Sequence, residues 1–423
     1  LVGSEMCIRD RQGAVMKKIV ITGMGAVTPI GIGVDNYWEN ITAGVSGIDT
    51  IKSFDASELA VQIAGEVKNF NPSDYMPKDL IRKTDPFMQY AYIAAEEALK
   101  QSNLEIEPER TGIVMGTAMN GIATIAFTQD ALSGAAHKKV GPRFIPKILG
   151  NIAAANIAIE HNIQGPSFTV STACSSGGDA INTACMCMQT GKADVMLAVG
   201  AESVLCPLVI YSLANAKALS RRNDSPATAS RPFDVTRDGF VIGEGGGALL
   251  LETEEHALAR GAKIYGEVLG CGNTDDAYHV TAPHPEGRGA IACMKQAIAQ
   301  ANIDASQIGY VNAHGTATNK GDTVETASIK SVFGDKLPYV SSTKGATGHM
   351  MGAGGITEVI TCVKAIETGV IPPTINLNEV DPECSGIDFV ANTAKKAEID
   401  YAMSNAFGFG GQNSSIIVGR YKG

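Results

Sequence analysis

The sequence is short of charge: only 18% of its 423 residues are Asp, Glu, Lys or Arg, against about a quarter in an average soluble domain. What charge there is leans acidic. With 44 acids against 34 bases the formal net charge is −10, which excludes broad attraction to nucleic acid or an anionic membrane surface and leaves only a local basic patch to meet an acidic partner. No apolar run comes near the roughly 18 to 20 residues that cross a bilayer, so no membrane span is expected. Nine cysteines are present, yet no C-x-x-C pair, so neither a zinc cage nor a disulfide framework is read from them and no metal is expected. The closest two, Cys185 and Cys187, would face different sides of a helix. Free thiols buried in a reducing cytoplasm are the expectation. The first fifteen residues, "LVGSEMCIRDRQGAV", lack the apolar core of a secretory leader. They read as a non-native extension, like the translated end of a sequencing-library transposon, with the natural start at Met16.

What is present is 44% hydrophobic residues and 47 glycines in a chain long enough for two cores or one large one, which reads as an α/β globular protein. Two stretches share a pattern. "TVSTACSSGGDAINTACMCMQTGKADV" and "YVSSTKGATGHMMGAGGITEVITCVKAIETGVI" each run strand, small-residue turn, long helix, then "TG". "KKIVITGMGAV", "TGIVMGTAMNG" and "IGYVNAHGTATNKGD" match more weakly. Two similar halves are inferred, residues 16–262 and 263–423, with their functional residues converging where strands end in glycine turns. The run "GEGGGALLL" fits no phosphate loop and instead suits a strand that passes a crowded backbone.

Within "FTVSTACSSGGDAI", Cys174 stands where branched residues give way to a helix-like run. A helix N-terminus supplies free N–H groups and a favourable dipole for a thiolate, and the tiny neighbours admit a bulky acyl group, so Cys174 is the candidate nucleophile. Of seven histidines, His314 in "NAHGTATNKGD" and His349 in "SSTKGATGHMMGAGG" occupy glycine- and threonine-rich turns at strand ends, with Lys344 beside the latter. The other five lack such settings and read as structural. Asp322 and Glu325 have the D-x-x-E spacing of a capping box.

Taken together, "TACSSG", "RPFDVTRDGFVIGEG", "NAHGTAT", "STKGATGHMMGAGG" and "SNAFGFGGQN" resemble the β-ketoacyl-acyl-carrier-protein synthases, type II in particular, from about Met16 to the end. The resemblance implies a thiolase-like α/β fold, five layers α-β-α-β-α in two duplicated halves, and a homodimer. It implies a decarboxylative condensation of malonyl carrier protein with an acyl group held on Cys174, as in fatty acid elongation. His314 and His349 would hold the malonyl thioester oxygen, Lys344 would fix the charge around them, and Glu325 and Asp322 would support the set. The N–H groups of Cys174 and Phe409 would hold the acyl oxyanion, with Phe409 as a gate and Phe407 as the weaker candidate for that part. Thr316 and Thr318 match positions that bind the pantetheine arm, and Met119 and Phe144 match positions lining the acyl pocket at the dimer interface. No tightly bound cofactor is implied, because the phosphopantetheine arm arrives on the acyl carrier protein. Docking of that acidic partner would fall to Arg82, Lys83, Lys138, Lys139, Lys217, Arg221 and Arg222.

Related families part at the same residues. A degradative thiolase needs a second cysteine near the C-terminus, and the last one here is Cys384. Initiating and chalcone-type synthases carry Asn where His349 stands, and chain-length-factor subunits lose the nucleophile. A polyketide or aryl-polyene ketosynthase shares the triad and is the alternative enzyme. A noncatalytic carrier-binding subunit is the alternative from another class, against which the complete Cys/His/His/Lys set argues.

Overall fold

The computed structural model describes residues 16–133 and 140–423; residues 1–15 and the docking candidates Lys138 and Lys139 lie outside the described residues. Ten strands carry the fold. In the first half they are β1 (Ile19–Thr28), β2 (Thr111–Gly116), β3 (Ser167–Val170), β4 (Val195–Glu202) and β5 (Gly245–Thr253). In the second they are β6 (Gly266–Asp275), β7 (Ile308–Asn312), β8 (Tyr339–Ser341), β9 (Tyr401–Phe407) and β10 (Gln412–Gly419). β1, β4 and β5 are buried at every residue, which is why their sequences run apolar instead of alternating: helices cover both faces.

The order in space is β3-β2-β4-β5-β1 in the first half and β8-β7-β9-β10-β6 in the second. Position by position the two orders are the same, and each has two parallel pairings followed by two antiparallel ones. β1 and β6 then join the two sheets through Ile19–Ile21. The helices repeat too. α1 (Pro86–Ser102), α3 (Asn151–His161) and α4 (Ser176–Gln189) follow the first three strands of one half. α5 (Arg288–Ala301), α6 (Asn319–Phe333) and α7 (Gly354–Thr368) follow those of the other, and α2 (Ile122–Ser133) is an insertion of the first half alone. α1 packs outside on β1, β4 and β5, and α5 outside on β6 and β10, while α4 and α7 pack on each other between the sheets. This is the duplication that the paired motifs implied, in the five-layered form that the family resemblance implied.

The two middle helices meet at glycines. A Cβ on Gly177 would stand 2.6 Å from the Gly352 carbonyl oxygen, and one on Gly355 would stand 2.5 Å from the Gly178 nitrogen. Only bare backbone allows that approach. The glycine run of β5 has the same cause: a Cβ on Gly247 would meet the Ile356 and Thr357 side chains of α7 at 2.9–3.0 Å. At this crossing the ends of β2, β3, β4, β7, β8 and β9 gather, bringing residues from both halves to one seam.

Candidate active site

Cys174 lies in a single 3₁₀ turn, Ala173–Ser175, that opens α4. Ala173 is held at φ 50°, in the left-handed region that an alanine seldom occupies. The turn is fixed by Ser175 and Ser176, whose hydroxyls donate to the Thr172 and Ala173 carbonyls at 2.7 and 2.6 Å. Deeper in α4, the Asp179 carboxylate accepts from the Thr172 hydroxyl at 2.5 Å and from Asn273 of β6 at 2.7 Å, tying the turn to the second half. Cys174 thus ends up 7% exposed, lining a cavity of about 430 Å³.

His349 reaches it from the second half. Its backbone N–H donates to the Val241 carbonyl at 2.7 Å and its carbonyl accepts from Gly243 at 2.9 Å, so the "GFVIGEG" stretch clamps it like a partner strand. Its Nε2 stands 2.9 Å from Cys174 Sγ. The His314 ring crosses the His349 ring edge-on at 5.3 Å, and Phe240 supports His349 from another side at 5.4 Å. One donor atom from each of Cys174, His314 and His349 lies within 4.8 Å of the others. His314 and His349 lie 140 and 175 positions from Cys174 in sequence. Only the duplicated fold brings them together.

Burial sets the electrostatics. It pushes the Cys174 thiol up to about 11, and the Phe409 N–H and the Lys344 ammonium pull it back only in part. The resting nucleophile is therefore a thiol, which differs from the thiolate that a helix N-terminus alone leads one to expect; desolvation outweighs the dipole here. Burial, followed by Lys344, holds both imidazoles well below their ordinary range, and His349 adds to the effect on His314. Two neutral imidazoles thus face one neutral thiol.

Lys344 is 2% exposed and its ammonium is paired with the Glu358 carboxylate of α7. Asp322 and Glu325 do not form a capping box. Thr318 is the cap residue of α6, with no side-chain cap, so both carboxylates fall inside the first two turns. There Glu325 accepts from the backbone N–H groups of His314 and Gly315 at 2.8 and 2.7 Å, and Asp322 from Phe233 and Ala317 at 2.8 and 3.1 Å. Arg237 stands 3.4 Å from Asp322. These carboxylates hold the His314 loop instead of capping a helix. Burial raises Glu325 to about 7 and Asp322 to about 6.

Sequence reasoning passed over Glu358, Asp179 and Glu202. Glu202 is fully buried at the end of β4 and accepts from the N–H groups of Ala118, Met119 and Gly352 at 2.7, 3.0 and 3.2 Å. For Asp179 and Glu202 the signal was available: each is the only acid of its element, a position that a buried charge occupies only with partners; Glu358 shares α7 with Lys364 and Glu367 and gave no such signal.

Met119, Thr316, Thr318, Phe407, Phe409 and Lys217 all line the cavity with the triad. Thr316 and Thr318 place their hydroxyls 3.0 Å apart. Phe407 lies 5.9 Å from His314, ring to ring, while the Phe409 side chain is 38% exposed at the mouth. Phe144 is elsewhere, in a separate cleft of about 760 Å³ with Phe127, Arg82 and Lys147. The charges of Arg82 and Lys83 are turned to Asp79. Arg222 lies 3.6 Å from Asp238, and the Arg221 N–H donates to the same carboxylate. A larger cleft of about 1010 Å³, between residues 101–110 and 256–263, contains none of these residues.

A duplicated five-layered fold whose seam holds a thiol, two imidazoles and a buried lysine has the architecture of the thiolase-like ketosynthases. The family model for the N-terminal domain of β-ketoacyl synthase matches residues 16–257, and that for the C-terminal domain matches residues 265–378. The chain belongs to the β-ketoacyl synthase family. It is 44% identical over 411 residues to 3-oxoacyl-[acyl-carrier-protein] synthase 2 of Vibrio cholerae, covering 96% of this chain and 99% of the relative. A β-ketoacyl synthase structure from Burkholderia phymatum superimposes with a TM-score of 0.88 at 35% identity, covering 96% of this chain and all of that one. A type II polyketide ketosynthase bound to a hexaketide, in complex with its acyl carrier protein, does so with a TM-score of 0.87 at 31% identity, again over 96% of this chain and all of the other.

Proposed function

We propose that this protein is a β-ketoacyl-acyl-carrier-protein synthase of the elongating type, which lengthens an acyl chain by two carbons in fatty acid synthesis. The observation that carries the reading is the Cys174 sulfur 2.9 Å from His349, with His314 beside it on one cavity. The kinship to 3-oxoacyl-[acyl-carrier-protein] synthase 2 at 44% identity favours it over the polyketide alternative, whose solved example stands at 31%.

In the first half-reaction the Cys174 S–H gives its proton to His349 Nε2 as the sulfur attacks the acyl thioester of an acyl carrier protein. The thioester oxygen becomes an oxyanion held by the backbone N–H groups of Cys174 and Phe409. The pantetheine sulfur leaves and takes the proton back, so the acyl group is on Cys174 and the carrier is free. In the second, a malonyl carrier places its thioester oxygen between His314 and His349. The bond to the carboxylate breaks, CO2 departs, and the electron pair becomes an enolate on that oxygen. Neutral imidazoles suit this step, because they donate an N–H without drawing the carboxylate into an ion pair that would keep it in place. The enolate carbon attacks the acyl carbonyl, the C–S bond to Cys174 breaks, and the thiolate regains a proton from solvent. Thr316 and Thr318 hydrogen-bond the pantetheine arm, Met119 walls the acyl cavity, and Phe409 gates it. The arm belongs to the substrate, and no tightly bound cofactor enters the scheme.

Carrier docking falls to the basic rim, where Lys217 lines the cavity and Arg221 and Arg222 contact Asp238, which lines it too. A second copy of the chain is proposed at the free edge of β3, where Phe168 is 45% exposed and Ile159 of α3 is 78% exposed; an open apolar edge of this kind is normally covered. No helix among the described residues is long and apolar enough to cross a membrane. The eight described cysteines are free and buried, which suits a cytoplasmic enzyme. The test is to offer acyl carriers of short, medium and long chain with malonyl carrier and to weigh the products. Saturated and cis-unsaturated substrates should each gain two carbons and release one CO2. Activity confined to aryl or polyene starters would move the assignment to the alternative.

A further inference from the structure

We propose that Cys174, His314 and His349 together form a reversible inhibitory site for a soft divalent cation, zinc foremost, which captures the free enzyme before it is acylated. The chemistry of the donors comes first. A thiolate and two imidazoles are the ligand set that selects zinc over harder cations such as magnesium or calcium. Their geometry comes second. The three donor atoms already lie within 4.8 Å of one another. In a tetrahedral site with zinc–sulfur and zinc–nitrogen bonds of about 2.3 and 2.0 Å, sulfur and nitrogen stand about 3.5 Å apart. Cys174 Sγ and His349 Nε2 start at 2.9 Å, so they need to spread by less than an ångström. All three residues line the cavity, which leaves room beside them for a water as fourth ligand.

The surroundings permit the charge. The nearest ammonium, Lys344, is already paired with Glu358, and the buried carboxylates Glu325 and Glu202 lie close by. On binding, the Cys174 S–H bond breaks, the proton passes to solvent, and sulfur bonds the metal; no electron transfer is involved. Once an acyl group occupies the sulfur, that ligand is lost. The metal therefore competes with the acyl carrier and not with the malonyl carrier.

The experiment uses untagged protein and cobalt(II) as a spectroscopic stand-in for zinc. One cobalt per chain should give a near-ultraviolet thiolate-to-cobalt charge-transfer band and intense visible bands of tetrahedral coordination, which zinc then abolishes. The charge-transfer band should vanish in Cys174→Ser and in enzyme carrying an acyl group, and His349→Ala should weaken binding by more than about tenfold, as loss of one of three ligands requires. In turnover, zinc should raise the apparent KM for acyl carrier with no change at saturation, and a chelator should restore the rate. A band that persists in correctly folded Cys174→Ser, the absence of any band, or inhibition that acyl carrier cannot overcome would each overturn the site. The binding arms need no turnover, so their failure leaves the condensing reading intact.

Discussion

The two middle helices begin in the same way and do different things. In the first half Ala173 takes φ 50° and a 3₁₀ turn runs Ala173–Ser175 into α4; in the second Met351 takes φ 47° and a 3₁₀ turn runs Met351–Ala353 into α7. The residue after the strained one is Cys174 in one half and Gly352 in the other. One turn therefore presents a nucleophile, while the other presents bare backbone: its carbonyl meets Gly177 and its N–H donates to Glu202. The second half's imidazoles come instead from the loops just before, His314 after β7 and His349 after β8. Duplication supplied two helix starts at one seam, and under the function proposed above their divergence divides the labour, with acyl transfer at the first and malonyl activation at the imidazoles of the second half.

The division is most sharply tested at the thiol. Cys174→Ala should abolish acyl-enzyme formation and condensation outright, yet leave malonyl decarboxylation running, since that step needs only His314 and His349. Labelled acyl carrier counts the first and labelled CO2 the second. Acyl groups still attached to the variant would refute the nucleophile. The converse change, His314→Ala, should leave acyl transfer in place and slow decarboxylation by about a hundredfold or more, the usual cost of one oxyanion donor. If both variants lose both activities in parallel and melt earlier, the residues hold the fold and the division is wrong.

A third expectation concerns the state of the sulfur. With the folded thiol raised from 9.0 to about 11, its thiolate fraction below pH 9 is about a hundredfold smaller than that of a free thiol. Alkylation of Cys174 by iodoacetamide should thus climb about tenfold per pH unit and level off only near pH 11. Among the eight described cysteines Cys174 should still react first, because of these only it lines the cavity. A plateau reached by pH 7 would mean that the helix dipole and Lys344 outweigh burial after all.

Much of this was legible in the sequence for a physical reason. Strand-to-helix turns of small residues must carry their signal locally, so Cys174, His314, Lys344 and His349 could be picked out from their neighbours, and the two "TG"-ended repeats gave the duplication that the strand order displays. What stayed hidden was pairing across the fold. The D-x-x-E of Asp322 and Glu325 looked like a local cap, but the cap is Thr318 and the carboxylates serve the His314 loop across the turn. The partnership of Lys344 with Glu358 likewise depends on α7 folding back under the loop. The sign of the thiol's shift was hidden too, because a helix N-terminus is visible in a sequence and the depth of burial is not.

The smallest expected effect asks whether Gly352 is merely an unused copy of Cys174's position. If it were, a methyl group there would be tolerated. A Cβ on Gly352 would instead stand 2.9 Å from Glu202 Oε2, 2.9 Å from Thr117 Cα and 3.1 Å from the Ala118 nitrogen. Two of those three atoms are backbone, held by the end of β2, and cannot swing aside as a side chain could. Gly352→Ala should therefore cost about 1–3 kcal/mol, as overpacking a filled site does, and lower Tm by a few degrees. Adding Glu202→Gln should not recover it, because the backbone contacts remain and the amide sets an NH2 against N–H donors. Because Met119 is bound to the same Glu202, Gly352→Ala should also disturb the acyl cavity more than the malonyl side. The KM for long acyl carriers should rise a few-fold while malonyl decarboxylation holds steady. An unchanged Tm, or full recovery by Glu202→Gln, would show that the second helix start is spare room and not the wall against which the first is built.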